Sequence, residues 1–123
     1  MKTLSVDVRS EDDGVTLVLS GELDLSTAPT VERELAEAER DRPALITIDL
    51  RGVTFLDSTG LRVVLSADGR ARKEDRRVEV IPGPPPVHRV FRIALLDRRI
   101  TFVDPPEDGQ QASEGERETD PSP

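Results

Sequence analysis

Two short apolar alternations, joined across Asp12-Asp13-Gly14, set the first constraint on this chain. Leu4, Val6 and Val8 alternate with Ser5, Asp7 and Arg9, and Val15, Leu17 and Leu19 repeat the pattern after the turn. A side-chain period of two places each apolar set on one face of a half-buried strand. Asp-Gly is a strong hairpin signal, so the chain opens with an antiparallel pair. After Gly21-Glu22-Leu23-Asp24 the period becomes helical. Ser26 and Thr27 are good N-caps and Pro29 fits a first turn. Ala28, Val31, Leu35 and Ala38 form the apolar face of this first helix, opposite Glu32, Arg33, Glu37 and Arg40, and it ends before Pro43.

Ala44, Ile46, Ile48 and Leu50 alternate with Leu45, Thr47 and Asp49, apolar enough on both faces for a central strand. Arg51-Gly52 is expected to turn the chain, with Val53 and Phe55 pointing back to the core. A second helix from about Ser58 carries Leu61, Val64 and Leu65 inward. Gly69 weakens it by about 1 kcal/mol relative to alanine, and Arg70, Arg72 and Lys73 suit its C-terminal end. Val78, Val80 and Ile81 read as a strand. Pro82-Gly83-Pro84-Pro85-Pro86 is a stiff connector that pre-sets a helix start. Val87, Val90, Phe91, Ala94 and Leu95 recur at helical spacing, which predicts a third helix, and Ile100–Val103 a short last strand. Phe55, Phe91 and Phe102 are assigned to the core. His88 lies off the apolar stripe and is assigned to solvent. Arg89, Arg92, Arg98 and Arg99 form a basic patch, read as a solvated face. The order β-β-α-β-α-β-α-β predicts an α/β fold: one domain with a mixed sheet, an N-terminal hairpin, a parallel centre, right-handed crossovers and three main helices.

Composition excludes several classes of function. The 123 residues carry a net charge of −8, with neither Trp nor Tyr. A nucleic-acid partner is not expected, since basic patches and stacking platforms are what such binding uses. Much of the acidity lies in residues 107–123, where six carboxylates face Arg117 alone. That segment has too few apolar side chains to bury a face, so residues 1–106 are the expected domain and 107–123 an acidic disordered tail. Cysteine is absent, which excludes disulfides and thiol chemistry. The N-terminus has no apolar signal core, and the longest apolar run, Ile93–Leu96, is far too short to span a membrane. The expectation is a cytoplasmic protein that uses no membrane, metal or cofactor. Catalysis is not expected either. A serine hydrolase needs a nucleophile elbow and a base, and here the Gly-x-Ser-x-Gly elbow is missing and His88 is the sole imidazole.

The stretch Phe55-Leu56-Asp57-Ser58-Thr59-Gly60-Leu61 carries the candidate site. It puts a hydroxyl pair between an apolar run and a helix, with Ser58 at the helix start, where backbone N–H groups favour an anion. On the residues alone, Ser58-Thr59 is either a helix cap or an exposed acceptor, and Asp24 either a loop cap or a contact residue. Arg62 lies one turn beyond Ser58 and can pair with an anion there.

Gly21-Glu22-Leu23-Asp24, the amphipathic helix after it, and the apolar strand ending in Phe55–Leu61 together resemble the STAS domain over roughly residues 3–103. The likeness is greatest to the bacterial anti-anti-sigma factors, also called anti-sigma factor antagonists. That resemblance implies a phosphorylation-controlled partner switch. The unmodified antagonist binds an anti-sigma factor that is also an ATP-dependent serine kinase, and a sigma factor is freed. Phosphorylation of the first hydroxyl of the motif, here Ser58, releases the partner, and a serine phosphatase resets the switch; Thr59 is the other possible acceptor. Asp24, Ser26, Thr27, Asp57, Ser58, Thr59, Gly60 and Arg62 are the expected partner-binding residues. The alternative is a non-switching STAS module within a signalling scaffold or transport complex. A monomer or weak dimer is expected. Leu95 stands where a glycine often precedes the Leu-Asp pair, here Leu96-Asp97.

Overall fold

The computed structural model describes residues 3–106. Seven elements follow one another: β1 (Leu4–Ser10), β2 (Gly14–Leu23), α1 (Ala28–Glu39), β3 (Leu45–Leu56), α2 (Ser58–Lys73), β4 (Arg77–Ile81) and α3 (Pro85–Ile93). The strands form one sheet in the order β1-β2-β3-β4. β1 and β2 are antiparallel, while β2 with β3 and β3 with β4 are parallel. Each parallel pair is joined by a helix, and right-handed crossovers between adjacent strands put α1 and α2 on the same face.

That face is the core. Leu17 and Leu19 of β2, Ile46, Ile48 and Leu50 of β3, and Val78 and Val80 of β4 are buried in one cluster with Val31 and Leu35 of α1, Val64 and Ala67 of α2, and Val87 and Phe91 of α3. Burial of these side chains at about 25 cal/mol per Å² is the main driving term. The opposite face is polar, and cross-strand neighbours there run Arg9, Thr16, Thr47, Glu79 and Asp7, Val18, Asp49, Ile81. Asp49 is buried on this face and held by the Arg51 fork, with Nη2 to Oδ2 at 2.8 Å. The hydrogen bond to Asp49 raises the Arg51 pKa, partly opposed by burial.

Several expectations need correction. The chain does not turn at Arg51-Gly52. β3 continues to Leu56, and its register with β2 slips between Val18 and Ser20 and again between Gly21 and Glu22. Each slip adds a residue to β3 and shifts the alternation, so Val53 and Leu56 face inward while Phe55, 45% exposed, is left outside the core. The fifth strand is a single parallel bridge, Val80 to Phe102, with Val80 N donating to Thr101 O and Val103 N to Val80 O. α3 stops at Ile93, leaving Ala94 and Leu95 exposed beyond it. His88 is half-buried rather than solvated. Its ring meets Phe102 edge-on at 4.7 Å, and Phe102 meets Phe91 at 5.2 Å. The tail assigned to residues 107–123 lies outside the described residues.

Candidate functional site

The site lies at the carboxyl ends of the parallel strands β2 and β3, where open sheets commonly place function. Leu23 and Leu56 are register partners, and the Asp57 amide donates to Leu23 O at 3.3 Å. The loop after β2 and the start of α2 are thereby neighbours, although Asp24 and Asp57 lie 33 positions apart in the chain.

Asp57 is the N-cap of α2. Its Oδ1 accepts from the amides of Thr59 at 2.9 Å and Gly60 at 3.1 Å, two of the donors a helix start leaves unpaired. Ser58, the next residue, is exposed, and its hydroxyl has no hydrogen-bond partner among the described residues. Thr59 is half-buried and Gly60 buried. A Cβ on Gly60 would lie 2.7 Å from Leu23 Cγ and 2.8 Å from Leu56 Cδ1, so only glycine lets α2 begin this close to the two strand ends. Arg62 is exposed and forms no ion pair among the described residues.

The loop after β2 is ordered by its own side chains. Asp24 Oδ1 accepts from the Ser26 amide at 2.9 Å, the Ser26 hydroxyl at 2.8 Å and the Thr27 amide at 3.2 Å. Thr27 Oγ1 donates to Glu22 O at 2.6 Å and accepts from the Asp24 amide at 3.0 Å. Thr27 is thus at the N-cap position of α1 without capping it through its side chain, contrary to the sequence expectation. Asp24 and Thr27 are buried, at 2% and 7% exposure, and brace the loop from within. Ser26 remains on the surface. Asp57, Ser58, Thr59, Gly60 and Arg62 come together in the first turn and a half of α2, beside the braced loop.

Two apolar side chains are exposed at this end: Leu25, to which the sequence reading gave no place, and Phe55, which it assigned to the core. Leu25 is 74% exposed between Asp24 and Ser26, and Phe55 is exposed three residues before Ser58. Leu25 is in phase with Leu19 and Leu23, so alternation alone assigns it inward; β2 ends at Leu23, and the phase ends with it. Among the described residues no group of His, Asp or Glu could hold a metal, and no helix is long and apolar enough to cross a membrane.

A family model described as "Mlab, STAS domain" matches residues 6–104. The chain belongs to the STAS domain family. Among curated relatives, an anti-sigma-B factor antagonist of Listeria monocytogenes is 29% identical over 94 residues, covering 76% of this chain and 82% of the relative. Among solved structures, an anti-sigma factor antagonist from Mycobacterium paratuberculosis superposes with a TM-score of 0.75 at 27% identity, covering 81% of this chain and 85% of the other. The anti-sigma factor antagonist SpoIIAA, in its unphosphorylated form, superposes with a TM-score of 0.69 at 20% identity, covering 80% and 88%, a likeness of fold. The mixed sheet with three helices is thus a STAS fold of the SpoIIAA type.

Proposed function

We propose that this STAS domain is an anti-sigma factor antagonist whose binding surface is the Ser58 end of the molecule and whose switch is phosphorylation of Ser58. Unmodified, it docks on an anti-sigma factor through Ser26, Asp57, Ser58, Thr59 and Arg62, and a sigma factor is freed. The same partner, acting as an ATP-dependent serine kinase, transfers the γ-phosphoryl group to Ser58 Oγ. The hydroxyl proton leaves to a base, ADP departs, and the antagonist is released until a serine phosphatase removes the group. The setting is the cytoplasm, where sigma factors act.

The observation that carries this reading is an exposed, unengaged Ser58 hydroxyl beside a carboxylate that already holds the first free amides of α2. The names of the relatives supply the partner class. A phosphoryl group brings about −1.5 to −2 charges. At a bare helix start those charges would take the backbone amides. Here Asp57 occupies the amides of Thr59 and Gly60, so the added charge faces a fixed negative neighbour and projects outward. Arg62, at i+4, is placed to share it. Phosphorylation therefore leaves the scaffold intact and changes the docking surface. Losing contacts worth about 3 kcal/mol weakens binding roughly a hundredfold, enough for a switch.

The test is binding to the anti-sigma factor by wild type, Ser58→Ala and Ser58→Asp, alongside circular dichroism. Ser58→Ala should bind as wild type and gain no phosphoryl mass on incubation with ATP and the partner. Ser58→Asp should keep its spectrum and lose most affinity. Equal binding by all three would refute the switch and leave a non-switching STAS module.

A further inference from the structure

α3 ends in a way its sequence does not favour. Leu95 N donates to Arg92 O at 3.0 Å and Leu96 N to Phe91 O at 2.9 Å, the paired bonds that close a helix through a left-handed residue. Leu95 is that residue, with φ of +62°. Glycine is the usual occupant, because a Cβ is strained there. The leucine gains no burial in exchange: it is 82% exposed, and Ile93 beside it is 74% exposed. Strain held together with exposed apolar surface marks a place where something binds.

The charges around these two side chains are also unusual for this chain. Most arginines elsewhere among the described residues sit beside carboxylates, as Arg9 does with Asp7, Arg70 with Glu39 and Arg72 with Asp68, and the unpaired Arg33 and Arg62 stand singly rather than in a cluster. Arg89, Arg92 and Arg98 form no ion pair among the described residues. With Ile93, Leu95 and Asp97 they line an open concavity of about 630 Å³. Arg99 does not belong to it, since its guanidinium points to buried Asp68 at 3.7 Å.

We propose that this arginine-framed surface at the end of α3 binds carboxylate-rich polypeptide, and that its occupant is the segment 107–123 of the same chain. Charge complementarity selects the occupant: six carboxylates against one arginine in the segment, three arginines against Asp97 on the patch. The reach is sufficient. Phe102 already packs on His88 of α3, and the eight residues from Pro106 to Glu114 span up to about 28 Å when extended. The carboxylates continue to Asp120, fourteen residues and up to about 49 Å from Pro106, against a breadth of about 34 Å for a sphere whose radius of gyration is about 13 Å. A second copy fits less well, because two such patches face to face would oppose arginine with arginine. The inference is independent of the switching role of Ser58.

Because the chain has no cysteine, Ser113→Cys creates a unique thiol for a spin label in the full-length protein. The label should quench the methyl signals of Ile93 and Leu95 and spare those of Val8 at the far edge of the sheet. The quenching should vanish at about 1 M salt, where the Debye length is about 3 Å. It should also vanish when Arg89, Arg92 and Arg98, all surface side chains, are replaced together by glutamine, and when Glu114, Glu116 and Glu118 are. Quenching that is absent, uniform over the surface or indifferent to salt would overturn the proposal. So would quenching transferred from labelled chains to isotope-labelled, spin-free ones in a mixture, which would make a second copy the occupant.

Discussion

The Gly60 amide donates to Asp57 Oδ1 at 3.1 Å, so the residue that caps α2 and the glycine that admits it are joined across Ser58 and Thr59. The two contribute in different ways. Asp57 satisfies free donors, whereas Gly60 provides room against Leu23 and Leu56.

Asp57→Ala should therefore cost about 1 kcal/mol of stability, the usual loss of an N-cap. Gly60→Ala should cost about 1–3 kcal/mol through overpacking against the strand ends. Urea denaturation of both variants checks this. An unchanged midpoint for Gly60→Ala would mean that the start of α2 can shift without strain.

Asp68 is buried in α2 at 2% exposure and takes a 2.7 Å bond from Arg72 Nε one turn later. Arg72 Nη2 also donates to Arg99 O at 3.0 Å, which ties α2 to the segment after α3. Arg72→Ala leaves a buried carboxylate with only the longer Arg99 contact, and about 1–3 kcal/mol should be lost. Arg72→Ala combined with Asp68→Ala should be less destabilised than the sum of the single changes, because the orphaned charge is gone. A double-mutant cycle by denaturation measures the coupling; strict additivity would show the pair to be inert.

Gly69 is the one glycine among the described residues where the fold leaves an easy gain. A Cβ there meets nothing within 4 Å, and the residue lies inside α2. Gly69→Ala should stabilise the protein by about 0.5–1 kcal/mol through helix propensity and a less flexible unfolded chain. That is a rise of a few degrees in Tm for a domain of this size, read directly in a thermal melt.

Arg51 and Asp49 make a pH-independent contribution across the working range. The folded pKa of Arg51 lies above that of an ordinary guanidinium, so the stabilisation is complete below the ordinary value and lost only as the pH climbs through the raised one. Arg51→Lys keeps the charge and loses the two-pronged grip on Asp49, at a cost of about 0.5–1 kcal/mol. The cost should be the same between about pH 6 and pH 9. A deficit that changed over that interval would point to another titrating group beside the pair.

Much of the scaffold was legible in the chain because its signals are local. The alternation of Val15, Leu17 and Leu19 and the helical spacing of Val31 and Leu35 set element type within a few residues, and β-α-β order limits the sheet to a parallel centre. Asp57-Ser58-Thr59-Gly60 likewise announced a helix start at about Ser58, although the cap offered by the sequence was Ser58-Thr59 and the structure gives that place to Asp57. Less legible were the two register slips that send Phe55 outward, because a bulge exists only relative to the strand it opposes. The buried Asp68 has a second ion-pair partner in Arg99, far along the chain, and the half-buried ring of His88 packs on Phe102.

What the sequence determined alone is the kind and order of the elements and the hydroxyl poised at the start of α2, since backbone preference and side-chain period act between near neighbours. Only the tertiary structure decided which polar groups are braces and which face outward. Asp24 and Thr27 look as available as Ser26 and Ser58 in the chain, yet the first two are sealed within the loop after β2. Burial is a property of packing between distant segments, and no local pattern carries it.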